Sequence, residues 1–245
     1  MHTAARWGGM AAAAAAVGYA GPSVPALAMG FGLPAVVRRC APGLSGRGRP
    51  DHVSLTFDDG PDDTGTPKIL DTLGELGVTA TFFVLGEQVA AHPAVTRRLV
   101  HEGHEIGLHG WHHRNSLLVS PRALNTSLVR AVDQIADIAG VKPRFYRPPY
   151  GMATAATVWA CRKLGLTTVL WDAWARDWRA EATPDEVVQY VLRNARGGST
   201  VLLHDSDYMG APGSWEATVG ALRPLVRALE DEGLKVGPLR DHFDI

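Results

Sequence analysis

From residue 52 onward the sequence predicts an α/β protein built as a distorted or incomplete (β/α) barrel. Three observations predict it. Short β-branched or aromatic runs alternate with amphipathic helical stretches. Repeated βα alternation builds a parallel sheet, and this many units in about 190 residues suits a barrel. Polar clusters fall just past the predicted strands, where the loops of such folds carry their chemistry.

The elements follow in order. HVSLTF, from residue 52, alternates like a strand, and a helix is expected near 66–76. VTATFFVL is β-branched and aromatic, as a second strand should be. A helix fits 94–102, and a short apolar strand runs from Glu105 to Leu108. The longest helix has clear ends: Ser120 suits the cap, Pro121 the first turn, and Gly140 the stop. Leu124, Leu128, Val132, Ile135 and Ala139 form its core face. Phe145-Tyr146, a helix ending before Gly165, and a strand over 168–171 come next. Thr183-Pro184-Asp185-Glu186 reads as a capping box opening a helix. A strand at 199–204 and a helix at 215–232 complete the body.

The chain has 245 residues, enough for one sizeable core. Its net charge of −1 hides an asymmetry, since residues 1–50 hold five Arg and no acid, leaving 19 basic and 25 acidic residues beyond. A mildly acidic body argues against nucleic acid as the partner. Cys40 and Cys161 form neither a disulfide framework nor a CxxC metal pattern. Gly8–Val37 carries no charge and is flanked by Arg6 and by Arg38-Arg39. That is the composition of a membrane-targeting or anchor segment, with Ala26-Leu27-Ala28 as a small-x-small cleavage signal. Residues 1–50 are therefore expected to be targeting segment plus linker, with the linker at 43–50. Residues 51–245 are expected to form the working domain, an extracytoplasmic monomer.

Four carboxylates within six residues, Asp58, Asp59, Asp62 and Asp63, repel one another unless cations or hydrogen bonds compensate them. Asp62 and Asp63, after Pro61, suit a turn and helix start. A calcium loop is excluded because position twelve falls on Ile69 or Leu70 rather than Glu. His109 and His113, four apart, can reach one metal ion, and a carboxylate from the acid cluster would complete a catalytic type of site. Gly110 after His109 rules out the zincin pattern, and His101-Glu102-Gly103-His104-Glu105 lacks a final His. No GxSxG elbow, Walker loop or dinucleotide fingerprint occurs.

TFDDG (56–60), HxxxH (109–113), RPPYG (147–151), RDW (176–178) and LLH (202–204) occur in the order of the five motifs of NodB-type polysaccharide deacetylases, carbohydrate esterase family 4. The sequence resembles that family over about residues 52–205. The resemblance implies a divalent metal, foremost Zn2+ with Co2+, Ni2+ or Mn2+ as alternatives. It also implies removal of N-acetyl groups from GlcNAc polymers, or of O-acetyl groups from xylan, with a small-molecule amidohydrolase or a non-catalytic glycan-binding relative on the same fold as the alternatives. Carried over by motif, Asp58 is the base, with Asp59, His109 and His113 as metal ligands. Arg147 orients the base, and Tyr150 supplies an N–H to the oxyanion. His204 is the acid with Asp177 as its partner, and Trp178 and Leu202 wall the acetyl pocket. Three departures stand out. Gly110 and Arg114 replace the family's usual Ser/Thr and Pro, which puts the bracing of the metal loop in question. Trp174 stands where many members have an Asp. Trp111, Trp174 and Trp178 are candidates for stacking on sugar rings.

Overall fold

In the computed structural model, residues 18–30, 39 and 43–243 are described. Gly8–Val37 falls largely outside them, as does Cys40. Among the described residues no helix is long and apolar enough to cross a membrane.

The elements alternate as expected. Helix α1 (Val24–Gly30) precedes strand β1 (His52–Asp58), helix α2 (Gly65–Leu76), strand β2 (Thr81–Leu85), α3 (Gly86–Ala91), α4 (Pro93–His101) and β3 (Glu105–Gly110). Then come α5 (Pro121–Ala139), β4 (Phe145–Tyr146), α6 (Ala155–Lys163), β5 (Thr167–Thr168), β6 (Ala173–Trp174), α7 (Pro184–Leu192), β7 (Thr200–His204), α8 (Trp215–Asp231), β8 (Lys235–Gly237) and α9 (Leu239–His242). Ser120 accepts the Ala123 N–H at the start of α5, and Gly140, at φ 71°, ends it in the left-handed conformation open to glycine. Thr183 and Glu186 form the capping box of α7.

All strand pairs are parallel, in the order β5-β4-β3-β2-β1-β7-β6, with β8 beside the first residues of β1. The two edge strands, β5 and β6, are consecutive in the chain. If the sheet were flat, six strand spacings of about 4.8 Å would part them by about 29 Å. Five Cα steps, from Thr168 to Ala173, reach about 18 Å at most. The sheet must therefore curl into an incomplete barrel.

That closure corrects the single strand expected at 168–171. Val169 donates to the Tyr146 carbonyl on one edge, while Asp172 donates to the Thr200 carbonyl on the other. A stretch that crosses between edges cannot pair along either. The stretch 43–50, expected as a linker, fills the seam: Leu170 N–H donates to the Leu44 carbonyl, and the Thr200 hydroxyl donates to the Gly46 carbonyl. Further up the chain, the Ser23 hydroxyl donates to the Ala153 carbonyl at 2.6 Å, and Ala26 is buried with Leu170, Trp171 and Leu202.

Helices cover the outer face of the sheet. Leu124, Leu128 and Ile135 of α5 bury into the main core with Phe57, Phe82, Leu108 and Leu203 of the strands. Because every strand is parallel, Asp58, Gly110 and His204 all lie at one end of the barrel.

Candidate active site

The carboxyl ends of β1, β3 and β7 bring the expected residues around one cavity of about 520 Å³. Its lining includes Asp58, Asp59, His109, His113, Trp178 and His204. Parallel pairing explains the convergence, since Asp58 lies directly beside His204 in register.

Asp58 is buried at the end of β1 and takes a hydrogen bond from the Arg147 guanidinium at 2.7 Å. Arg147 is wholly buried. It also donates to the Thr56 hydroxyl and the Leu170 carbonyl, and it lies over the Phe83 ring. Those contacts fix its plane and leave one face of Asp58 toward the cavity. A buried carboxylate is costly unless paired, and Arg147 is the pair.

Asp59 Oδ1 lies 3.4 Å from His109 Nε2 and 3.5 Å from His113 Nε2. It is buried and has no hydrogen-bond partner among the described residues. The His109 Nδ1–H donates to the Arg147 carbonyl at 2.7 Å, which fixes the ring and turns Nε2 toward Asp59. Asp59, His109 and His113 are the one group among the described residues whose ligand atoms gather closely enough to hold a metal ion. Burial raises the Asp59 carboxyl, but its close approach to His109 and the charge of the nearby His204 outweigh it and bring the pKa to about 2. Burial, reinforced by repulsion from His109, pushes His113 down to about 4 and keeps it neutral, the form that ligates. For His109 burial is outweighed by Asp58 and Asp59, which raise its pKa. The donor set, its orphaned oxygen and its excess negative charge fit a divalent cation.

At the end of β7, His204 Nδ1–H donates to Asp177 at 3.0 Å, and the same carboxylate takes the His204 backbone N–H and the Thr218 hydroxyl. Burial alone would lower the His204 pKa; the charge of Asp177, with Asp59 and Asp58 behind it, raises it to about 10. Trp178 meets the His204 ring edge-on and stacks on Trp174 at 5.6 Å, with both tryptophans in the wall. Leu202 completes that side. Trp111 is different: it is 6% exposed, packs into the main core and does not line this cavity.

Two non-glycine residues have positive φ among the described residues, Asp59 at 80° and Tyr150 at 58°. Both line the cavity. Strain of this kind costs on the order of 1 kcal/mol and persists where the surroundings enforce it. Tyr150 sits in the Pro149–Gly151 turn with its ring edge-on to His113 at 4.4 Å. Gly110, which replaces the family's hydroxyl residue, has φ 126°, a conformation glycine adopts freely. The loop it opens is braced instead by Glu87, whose N–H donates to the Trp111 carbonyl and whose carboxylate meets His112 Nδ1 at 2.5 Å. His113 Nδ1 is left buried without a partner.

Sequence reasoning gave several supports no role. Asp205 is buried, takes the Gly60 N–H and the Thr66 hydroxyl, and so ties the end of β7 to the Asp58-Asp59 loop. Burial raises its carboxyl to about 7 against the opposing Thr66 bond. Thr56 and Thr218 hold Arg147 and Asp177. Ala26 and Leu27, from the segment expected to target the chain, line the cavity. Asp62 takes three hydrogen bonds at the start of α2 and Asp63 pairs with His92, so both serve the turn.

The family model for polysaccharide deacetylases matches residues 45–169. This chain belongs to that family. It is 33% identical over 207 residues to a peptidoglycan-N-acetylglucosamine deacetylase of Bacillus cereus, covering 84% of this chain and 74% of that one. It is 38% identical over 194 residues to a chitooligosaccharide deacetylase of Bradyrhizobium, covering 76% and 88%. A solved peptidoglycan N-acetylglucosamine deacetylase in complex with an N-hydroxybenzamide superposes at TM-score 0.75 with 33% identity, covering 80% of this chain and 91% of that one. Like its family, the chain is a metal-dependent hydrolase of carbon–nitrogen bonds on a distorted (β/α) barrel.

Proposed function

We propose that this polysaccharide deacetylase removes N-acetyl groups from GlcNAc-containing glycans, with Asp58 as base and His204 as acid at the neighbouring ends of β1 and β7. One observation carries the reading: the Asp58–Arg147 and His204–Asp177 pairs both abut the Asp59–His109–His113 set, with Asp58 3.8 Å from His109 Nε2 and His204 Nε2 4.0 Å from Asp59. A divalent ion held by those three residues, zinc foremost, supplies Lewis acidity toward a water and the acetyl carbonyl.

The other roles belong to the chain. Arg147 holds the Asp58 carboxylate in place, ready to take the proton of the attacking water. As the tetrahedral carbon forms, its oxygen gains charge, and the role carried over to the Tyr150 backbone N–H is to share it. His204, kept protonated by Asp177, gives its proton to the leaving nitrogen, which would otherwise depart as a strongly basic anion. Trp178 and Leu202 shape an apolar slot for the acetyl methyl, while Trp174 and the exposed Tyr150 ring offer faces to the sugar.

We further propose that the protein works outside the cytoplasm, on cell-envelope glycan. The charge-free run Gly8–Val37 supports this. Burial of Ala26 against Trp171 and Leu202 favours a retained anchor over cleavage after Ala28, which would strip a wall from the cavity.

The test is acetate release from peptidoglycan, GlcNAc oligomers and acetylxylan, before and after chelation and metal readdition. Release from the GlcNAc polymers, lost on chelation and restored by Zn2+, is expected. Release from acetylxylan alone, or full release after chelation, would overturn the reading.

A further inference from the structure

A second cavity, of about 460 Å³, opens beside the metal loop, and the proposed reaction uses none of it. Trp111 and His112 line it from the loop after β3, and Ser120, Arg122, Thr126 and Arg130 line it from α5. His113 faces the catalytic cavity while its neighbour His112 faces this one, so one loop separates the two.

The Arg130 guanidinium lies 3.5 Å from the centre of the Trp111 ring. Stacking at that distance holds the guanidinium plane and occupies its face, while the N–H donors on its edge stay unspent. Neither Arg122 nor Arg130 forms an ion pair among the described residues. The acid that braces this loop, Glu87 of α3, already binds His112 and the Tyr208 hydroxyl. Hydroxyls of Ser120 and Thr126 complete a lining rich in donors. On a body with more acids than bases, two uncompensated guanidiniums in one cavity call for an anion.

We infer that this cavity is a subsite for a carboxylate carried by the glycan, of the kind borne by the lactyl ether and stem peptide of peptidoglycan. A planar carboxylate matches the fork of a stacked guanidinium in two parallel hydrogen bonds. The subsite rests on the deacetylase reading and sharpens it, since it selects charged GlcNAc polymers over neutral ones.

The experiment uses the full, metal-loaded chain with Arg130→Gln and Arg122→Gln. Substrates are peptidoglycan fragments with free carboxylates, the same fragments methyl-esterified, and neutral GlcNAc oligomers. Arg130→Gln should lower kcat/KM on the free-acid fragments about tenfold through KM, the scale of a hydrogen bond to a charged group, and leave kcat and the neutral oligomers unchanged. Esterification should reproduce that loss in the wild type and abolish the effect of the variant. Equal losses on charged and neutral substrates, or no loss on either, would overturn the subsite. Calorimetric titration of the same fragments reads binding without turnover. Binding that needs both the carboxylate and Arg130 in a chain that releases no acetate would sink deacetylation and keep the subsite. Equal binding of free-acid and esterified fragments would sink the subsite alone.

Discussion

The two ends of the barrel bury titratable side chains on the same strands and treat them in opposite ways. At the amino end, His104 Nδ1 accepts the Ala80 N–H and Glu105 takes the Thr81 hydroxyl and the Arg240 N–H. His242 Nε2–H donates to the Gly46 carbonyl, which leaves its Nδ1 to accept from His52 at 2.9 Å. Each group there is neutral or satisfied by hydrogen bonds, and no two opposite charges are held apart. At the carboxyl end, Asp58, Asp59, His109, His113 and His204 converge, and Asp59 Oδ1 and His113 Nδ1 remain without partners. Burial is common to both ends, so burial does not mark the site. Unsatisfied, converging charge does.

The largest test of that contrast is removal of a mouth ligand. His113→Ala should take metal content from about one ion per chain to near zero, with acetate release lost alongside it. His104→Asn, at the other end, should leave metal content and kcat alone. Elemental analysis and acetate assays on both variants check the pair, and equal metal loss in the two would erase the distinction.

A smaller effect is expected at Asp177. Asp177→Asn keeps the shape, removes the charge and lowers the His204 pKa from its raised position near 10. Since His204 must be protonated to act, the basic limb of the rate profile moves to lower pH, each unit of movement meaning about 1.4 kcal/mol of lost interaction. An unmoved basic limb would detach Asp177 from the acid.

The smallest effect belongs to the amino end. Burial holds His104 near pKa 4, below the ordinary histidine value of 6.5. The folded state then binds fewer protons than the unfolded one between those values. Stability is therefore full above about 6.5 and falls as pH drops toward 4, by up to about 1.4 kcal/mol for each pH unit crossed. His104→Asn keeps an acceptor for Ala80 and should flatten that acid limb in thermal melts taken across pH 4–7. A limb as steep as the wild type's would show that other groups govern it.

Much of this was legible in the sequence because the signals are local. Ser120, Pro121 and Gly140 bound α5 within their own turns, and the five motifs sit at the strand ends where a parallel sheet must gather them. The parts that were not legible depend on partners far along the chain. Val169–Asp172 has strand composition, yet barrel closure makes it cross between edges. Residues 43–50 have linker composition, yet the carbonyls of Leu44 and Gly46 seal the seam. Asp205 and Thr218 support the site from positions that no motif flags, and Thr56, though it opens TFDDG, does so through a bond to Arg147 far along the chain. Trp111 has the look of a sugar platform until Arg130 is seen to cover it.

The division of labour between adjacent aspartates is the central claim, and metal content measured beside turnover in Asp58→Asn and Asp59→Asn tests it most directly. Asp58, paired with Arg147, should be dispensable for metal: Asp58→Asn keeps about one ion per chain while turnover falls roughly 10²- to 10⁴-fold, the usual scale of a general base. Asp59→Asn should lose the ion. An Asp58→Asn protein without metal beside an Asp59→Asn protein that retains it would contradict the account.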